Sequence, residues 1–377
     1  MNILVTGARA PISADIVRAL VALGHRVWTS DSLTAPFGRF SPGSSGYIKL
    51  PAPSSQFRQF SHALVSLCKE LQIERVIPTS DEVFWLSAVK GLPGACTRML
   101  SPLAILGFLH SKKTFSALAS QLGYGPGFTR VLRSKEELED FAGTSALEAT
   151  VLRPIYPGRV SEALVSPSSA DLVGVRPSVE RPWLAQSREF GREVCLYNTA
   201  YEGKLISHVA YLPRWRAGSG ASLYFEPVIC PRLEELSAKV IAATNFTGQI
   251  SFEVIETAAG PVALKCKPKG TSGAHLAVQN LAQFGAALLG EVVEGTLRPS
   301  PAMLALPHAI HNAATLRTAT GRRAWRAASD ALHQAGVPLW AQVLASAELL
   351  GRSVGAKPDA LTVAMSELNW DGELIGV

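Results

Sequence analysis

Gly248-Gln-Ile-Ser-Phe-Glu253 and, after a turn, Val262-Ala-Leu-Lys265-Cys-Lys267-Pro-Lys269-Gly-Thr-Ser-Gly273-Ala-His275-Leu276 are the stretches on which the fold of this chain is decided. Short apolar runs with alternating character bounded by turn residues are strands. Lys265 and Lys267 stand at i and i+2, so they share one face of their strand, while Cys266 between them points to the other face and reads as core. Glu253 lies on the preceding strand. The Pro-x-Gly-Thr-Ser-Gly segment that follows reads as a phosphate-adjacent loop of backbone N–H groups. Upstream, the same alternation runs through Ala149–Tyr156 and Cys195–Leu212. Residues 149–265 therefore read as an antiparallel sheet, with Pro, Gly and Ser at 156–169 and 217–222 supplying loops.

The N-terminal third has a different rhythm. Asn2-Ile-Leu-Val-Thr6 ends in Gly7, Ile16, Val17, Leu20 and Leu23 recur at helical spacing before Gly24, and His25–Asp31 reads as a second strand. This is a βαβ unit with a right-handed crossover. It recurs more loosely as helix 60–71, strand Arg75–Pro78 and helix 81–90, which makes residues 1–105 a small parallel α/β domain. The opening is dinucleotide-like, but Arg9-Ala-Pro-Ile12 replaces the glycines that would let a pyrophosphate approach, so Gly7 reads as a structural turn. Ser111 caps a helix that Gly123 ends, and Ser134-Lys-Glu-Glu137 is a capping box. Residues 275–377 read as mainly helical.

Composition bounds the function. The 377 residues are 47% apolar and 18% charged, with a formal net charge of +6. That length suggests two or three domains, and that balance excludes bulk disorder. No run of five Lys/Arg marks a nucleic-acid arm, and the one long uncharged C-terminal stretch, Pro299–Leu316, carries prolines and histidines unsuited to a membrane span. The expectation is no nucleic-acid partner and no membrane. Five scattered cysteines without a CxxC pair read as reduced thiols of a cytoplasmic protein, and the N-terminus reads as a first strand, not a signal peptide. No His/Cys cluster has zinc spacing, and no nucleophile elbow occurs.

Five pieces in fixed order resemble the ATP-grasp superfamily, in particular stand-alone members with an N-terminal pre-ATP-grasp domain. They are Ser111-Lys112-Lys-Thr-Phe115 with Leu122-Gly-Tyr-Gly-Pro126; Val151-Leu-Arg153-Pro154; Gln186, Gly191 and Glu193 as a Gln-x4-Gly-x-Glu hinge; Thr247–Glu253; and Lys265–Leu276. The resemblance implies α/β plus α+β architecture. A Rossmann-like pre-ATP-grasp domain (1–105) is followed by a two-lobed ATP-grasp-like domain (106–295) and a mainly helical C-terminal segment (296–377). It implies ATP as cofactor, a small-molecule carboxylate or other anionic ligand as partner, and ATP-dependent ligation of the carboxylate to an amine through an acyl phosphate. A non-catalytic relative that binds a nucleotide or anionic metabolite, or partners an active ligase, is the alternative.

The same resemblance assigns residues, and each assignment has a plainer counterpart. Lys112 at a helix start opposes the macrodipole, which favours a bound phosphate, the alternative being a solvated helix end. Arg153 stands where the family has lysine and either contacts phosphate or decorates an edge strand. Gln186 falls on the linker that meets adenine. Glu193 accepts from ribose hydroxyls or is a strand-surface carboxylate. Glu82, with Asp81 at the end of a parallel strand, faces substrate or caps a helix; His275 binds substrate or packs beside the loop.

The metal end departs from the pattern. Glu253 supplies the first carboxylate, but Lys265 stands for the family's glutamate, Lys267 for its asparagine and Lys269 for its arginine. A protonated ammonium has no lone pair and repels Mg²⁺, so the usual magnesium site has lost its second half. Three accounts stay open: the lysines contact phosphates themselves, the site binds an anion without turnover, or Glu253 alone holds one metal. The plainer reading makes the three lysines a solvated strand decoration.

Overall fold

The computed structural model describes residues 1–144, 147–155, 163–217, 222–292, 294, 297–352, 367–370, 372 and 375. The loop expected at 156–169 lies outside the described residues over 156–162, and that at 217–222 over 218–221.

Among the described residues the chain forms three sheets. β1 (Asn2–Thr6), β2 (Arg26–Asp31), β3 (Gly46–Lys49), β4 (Arg75–Pro78) and β5 (Thr97–Arg98) make a parallel sheet of order β3-β2-β1-β4-β5. Ile3, Leu4 and Val5 are all fully buried, as expected of a parallel strand covered on both faces. Gly7 follows β1 with φ +72°, and a Cβ there would stand 2.5 Å from Thr79 Oγ1, so the turn into the helix Ile12–Ala22 requires glycine. The expected βαβ unit is present at its expected place.

β6 (Thr129–Leu132), β7 (Thr150–Pro154), β8 (Leu164–Val165) and β9 (Trp183–Ser187) form an antiparallel sheet of order β6-β9-β7-β8 with its own small core of Leu132, Leu138, Phe141, Leu152 and Ala185. The third and largest sheet contains β10 (Arg192–Tyr201), β11 (Lys204–Arg216), β12 (Ser222–Val228), β13 (Gly248–Glu256), β14 (Pro261–Lys267), β15 (Ala302–Met303) and β16 (Ser329–Asp330), in the order β14-β13-β10-β11-β12-β15-β16. β10 turns into β11 at Glu202 and Gly203, both at positive φ, the geometry of a two-residue hairpin. Its two faces feed different cores. Val194, Leu196, Phe252 and Cys266 pack with Leu4 and Phe84, whereas Tyr197, Tyr211 and Phe225 pack with Ile16 and Phe284.

The C-terminal part differs from a purely helical tail. Ala302–Met303 pairs with the outer edge of β12 and Ser329–Asp330 pairs with β15 in parallel, so this segment closes a sheet edge that would otherwise offer unpaired backbone. Farther on, Trp370 returns to the helix Glu82–Ala88 and stacks on Phe84, ring centroids 4.7 Å apart. No helix among the described residues is long and apolar enough to cross a membrane.

Candidate functional site

Register places three of the expected residues side by side. Cys195 of β10 is opposite Glu253 of β13, which is opposite Lys265 of β14, and Ser251 is opposite Lys267. Glu253, Lys265 and Lys267 thus share one face, while Cys266 is buried on the other. Lys267 Nζ lies 2.5 Å from Glu253 Oε1 and Lys265 Nζ 3.9 Å from the same oxygen. Burial pushes the Glu253 carboxyl up, but Lys267, Lys265 and Arg216 outweigh it and hold it well below the usual range. Burial depresses Lys267, and its carboxylate partner more than restores it. Glu253 favours the ammonium of Lys265, yet desolvation together with Lys267, Lys269 and Arg153 brings Lys265 down to about 8. Two half-buried ammonium groups sharing one carboxylate leave this face short of negative charge.

The antiparallel four-stranded sheet contributes from the other side. Arg153 on β7 donates from Nε to Gln186 Oε1 at 3.0 Å and from Nη2 to the Leu264 carbonyl of β14 at 2.8 Å, so its guanidinium bridges the two sheets next to Lys265. Burial lowers it to about 10, opposed by Glu253. Gln186 lies within β9, paired with Thr129 and Val151, and its amide donates to Ser116 Oγ and Thr129 Oγ1. The resemblance puts Gln186 on the linker; the structure puts it inside β9, one of the two inner strands of its sheet, and the connection to β10 runs through Arg188–Gly191. Gly191 passes so close to β13 that a Cβ would stand 2.2 Å from the Glu256 carbonyl oxygen.

Lys112 is not a solvated helix end. It is buried, and its Nζ donates to the Pro154 and Ile155 carbonyls at 2.9 and 3.2 Å, at the end of β7 just beyond Arg153. Carbonyl oxygens satisfy the ammonium, so the dipole alone does not require an anion there. Lys269 leaves the strand face altogether and pairs with Asp81 after β4, tying the end of β14 to the parallel sheet. Burial raises the Asp81 carboxyl, but Lys269, with His110 and Lys265, brings it below its ordinary value. Glu193 sits at the exposed rim in an ion pair with Arg216, which also bears on Glu253 and Lys267.

Two expected substrate residues lie away from the cationic face. His275 is sealed against the helix Ile12–Ala22, its Nδ1 hydrogen-bonded to Asp15 and both side chains 1% exposed. Of the two alternatives, substrate binding or packing beside the loop, the packing is what the structure has: the helix Ala274–Ala277 turns the imidazole against the helix Ile12–Ala22. Glu82 is buried where the helix Glu82–Ala88 meets the Gly7 turn, its Oε2 3.3 Å from where a Gly7 Cβ would be. Desolvation and Asp31 raise its carboxyl to about 8, against Arg9 and Thr6.

No protein-family model and no curated protein matches the chain. Solved structures do match it. N5-carboxyaminoimidazole ribonucleotide synthetase from Thermus thermophilus is similar with TM-score 0.61 over 80% of this chain and 82% of that one, at 15% identity. An L-amino acid ligase from Bacillus licheniformis matches at 0.58 over 80% and 78%, at 14% identity. The biotin carboxylase domain of Hydrogenobacter thermophilus 2-oxoglutarate carboxylase, solved with MgADP, ADP and bicarbonate, matches at 0.58 over 80% and 73%, at 14% identity.

The chain has the ATP-grasp fold.

Within the ATP-grasp fold a magnesium ion does not fit the residues this chain presents. Mg²⁺ needs oxygen donors held in octahedral geometry. Here the carboxylates on the face are already engaged, Glu253 by Lys267 and Glu193 by Arg216, and the neighbour of Glu253 across the register is a cation. Among the described residues no group of three His, Cys, Asp or Glu side chains converges as a metal site. Sequence reasoning missed Arg216 and the pairing of Lys269 with Asp81. Arg216 carries no motif. Lys269 and Asp81 are a charge pair separated by 188 positions, legible only once the segments that follow β4 and β14 are known to meet.

Proposed function

We propose that this chain binds ATP between the four-stranded and seven-stranded sheets, with Lys265, Lys267 and Arg153 carrying the charge neutralisation that a metal would supply, and that it activates a small-molecule carboxylate for ligation to an amine. The observation that carries this reading is the Lys265–Glu253–Lys267 cluster, in which two cations converge on one carboxylate at 3.9 and 2.5 Å. Bound ATP supplies the phosphoryl group that turns a carboxylate into an acyl phosphate open to attack by an amine. The chain's part is positioning and electrostatics. Arg153 already spans both sheets and offers a planar fork of donors to a phosphate. Lys265 and Lys267 share one face of the seven-stranded sheet as point charges, and Glu193 is exposed on the same face.

The fold likeness to an L-amino acid ligase and to an N5-carboxyaminoimidazole ribonucleotide synthetase solved as an ADP complex supports a ligase of this kind. One observation favours a second reading, binding of a nucleotide or anionic metabolite without turnover: the carboxylates on that face are already paired with cations, Glu253 with Lys267 and Glu193 with Arg216. Calorimetry with ATP, with and without chelator, tests the site. Binding unaffected by chelator is the expected result, and absence of binding in both conditions refutes it. ADP release in the presence of a panel of carboxylates and amines supports ligation; its absence with intact ATP binding selects the second reading.

A further inference from the structure

Two of the five cysteines meet at the end of the parallel sheet opposite the Gly7 turn. Cys68 lies in the last turn of the helix Phe57–Glu70, and its carbonyl accepts from the Ile73 N–H at 2.9 Å. Thr97, the residue after Cys96, donates its N–H to the Glu74 carbonyl at 2.9 Å and pairs with Arg75 in the β4–β5 ladder. The backbone thus brings the two cysteines to either side of Ile73–Glu74. Their side chains turn to one another: Cys68 is fully buried in the core against which Cys96 packs, and the two thiols share a hydrogen bond.

The two members of the pair have unequal surroundings. Cys96 ends a tight turn, its N–H donating to the Pro93 carbonyl at 2.8 Å, and is half-buried between the exposed Ala95 and Thr97, so a small oxidant reaches it. The hydrogen bond with Cys68 holds the Cys96 thiol below its ordinary value against desolvation, helped by Arg98 and Arg75. Arg75 Nε is buried and has no hydrogen-bond partner, so no acceptor there competes with a thiolate. Cys68 is closed to solvent, and the same hydrogen bond, with burial, pushes its thiol up. Thiolate character and access together select which cysteine is oxidised, and a neighbouring thiol resolves it. The other cysteines lack this arrangement. Cys266 is buried, burial beside Glu253 pushes Cys195 up to about 12, and Cys230 lies 3.6 Å from a carboxylate oxygen of Glu256.

We propose that Cys96 and Cys68 are a redox-modification site, at which a hydroperoxide converts the hydrogen-bonded thiols into a reversible disulfide. The Cys96 sulfur attacks the peroxide O–O bond; an S–O bond forms, the O–O bond breaks, and the leaving hydroxide takes the thiol proton as water. The Cys68 sulfur then attacks the Cys96 sulfur; the S–S bond forms, the S–O bond breaks, and the Cys68 proton leaves with the hydroxide as a second water. Both sulfurs are oxidised, the peroxide is reduced, and a dithiol reductant restores the pair. The bridge closes a loop of about thirty residues that contains β4 and the helix Glu82–Ala88. It therefore braces the segment whose Asp81 pairs with Lys269 at the end of β14. The site is independent of nucleotide binding.

Treating the reduced full-length chain with hydrogen peroxide, quenching with N-ethylmaleimide and mapping peptides by mass spectrometry without reduction tests this. The expected product is a Cys68–Cys96 linkage within one chain, with two of the five thiols lost and both recovered by dithiothreitol. Linkage to any other cysteine, linkage between chains, or Cys96 carried to the sulfinic acid while Cys68 stays a thiol overturns the proposal. So does retention of all five thiols at a dose that oxidises free glutathione. Cys68→Ser should stop the reaction at the Cys96 sulfenic acid, trapped as a dimedone adduct, and Cys96→Ser should leave Cys68 a thiol; oxidation of Cys68 in the latter refutes the order of attack. Should either variant fail to fold, the wild-type map still decides the linkage. Closing a loop of this length lowers the unfolding equilibrium constant by on the order of thirty-fold or more. The oxidised chain should accordingly unfold at higher urea than the reduced one, and equal midpoints refute the bracing.

Discussion

If the proposed reading holds, replacing Lys265 by Glu and Lys267 by Asn should convert a chelator-insensitive nucleotide site into a magnesium-dependent one. Glu253 and Lys265 are direct partners across the β13–β14 register, and Lys267 is two residues farther along the same face. The double variant therefore puts two carboxylates opposite each other; it removes two positive charges and adds one negative, which lowers the formal net charge from +6 to +3. On the proposed reading the variant loses two ammonium contacts to phosphate, each contributing about 1.5–3 kcal/mol as a hydrogen bond to a charged group. The lower bound, about 3 kcal/mol, is a factor of about 150 in affinity. Calorimetry in chelator should accordingly show ATP affinity falling by at least about 150-fold in the variant, and added Mg²⁺ should restore much of it, because Glu253 freed from Lys267 and a facing glutamate supply hard oxygen ligands. Equal ATP affinity for variant and wild type in chelator refutes phosphate contact by the lysines. A fall that magnesium does not repair refutes the equivalence of Lys265 to a metal ligand. Circular dichroism melts guard against misfolding, and Lys267→Met alone, which leaves Lys265 beside Glu253, should lose about ten-fold in chelator, the equivalent of one such contact.

Three further outcomes follow from particular residues. Lys265 titrates at about 8, so its ammonium is present below that pH and lost above it; ATP affinity in chelator should fall as pH rises through 8, and Lys265→Arg should remove the inflection. Glu82 has its carboxyl raised from 4.5 to about 8, so between those values the native state holds a proton that the unfolded chain releases. Stability falls with rising pH across that window and levels off above it, by at most about 1.4 kcal/mol per pH unit, and Glu82→Gln should flatten the slope seen in urea titrations at several pH values across the window. Gly7→Ala adds a Cβ 2.5 Å from Thr79 Oγ1 at a φ of +72°, and urea unfolding should show a loss of about 2–4 kcal/mol.

What is legible in the sequence follows from how local each signal is. The βαβ opening, the strand Arg75–Pro78 and the hairpin of β13 with β14 declare themselves through periodicity and turn residues within a few positions of one another. The shared face of Lys265 and Lys267 needs only the two-residue period of a strand. The two-residue strands Ala302–Met303 and Ser329–Asp330 are too short to show a period and exist because β12 has an edge to be paired. The resemblance misplaces Gln186 by a few residues because a hinge motif does not mark the point where the ladder with Thr129 and Val151 ends. Lys112 is a different case: the macrodipole weighs anions against water, whereas the acceptors are the carbonyls of Pro154 and Ile155, brought in by a strand more than forty positions away. Arg9 reads in the sequence only as a missing glycine. Its charge, and Asp31 at the end of the next strand, are available there as a complementary pair, but the third partner, Glu367, is contributed by the other end of the chain.

The retention of Glu253 beside two lysines has a physical logic that neither charge alone supplies. Two ammonium groups bring the same formal charge as one Mg²⁺, but they are tethered to a strand, so their presence does not depend on metal concentration. They also need acceptors where a metal needs donors of lone pairs. Without Glu253, Lys265 and Lys267 would face each other across one half-buried surface with nothing between them, and like charges so placed repel more strongly as water is excluded. With Glu253 the pair is held, yet a single carboxylate cannot satisfy both: Lys267 takes the close contact at 2.5 Å, and Lys265, left at 3.9 Å, is the one whose ammonium is depressed to about 8. The unsatisfied member is thus identifiable, and it is the one standing where the sequence pattern has a glutamate. An incoming polyphosphate offers Lys265 the acceptor it lacks without disturbing Lys267, so the same asymmetry that costs the empty site stability gives an anion its point of attachment.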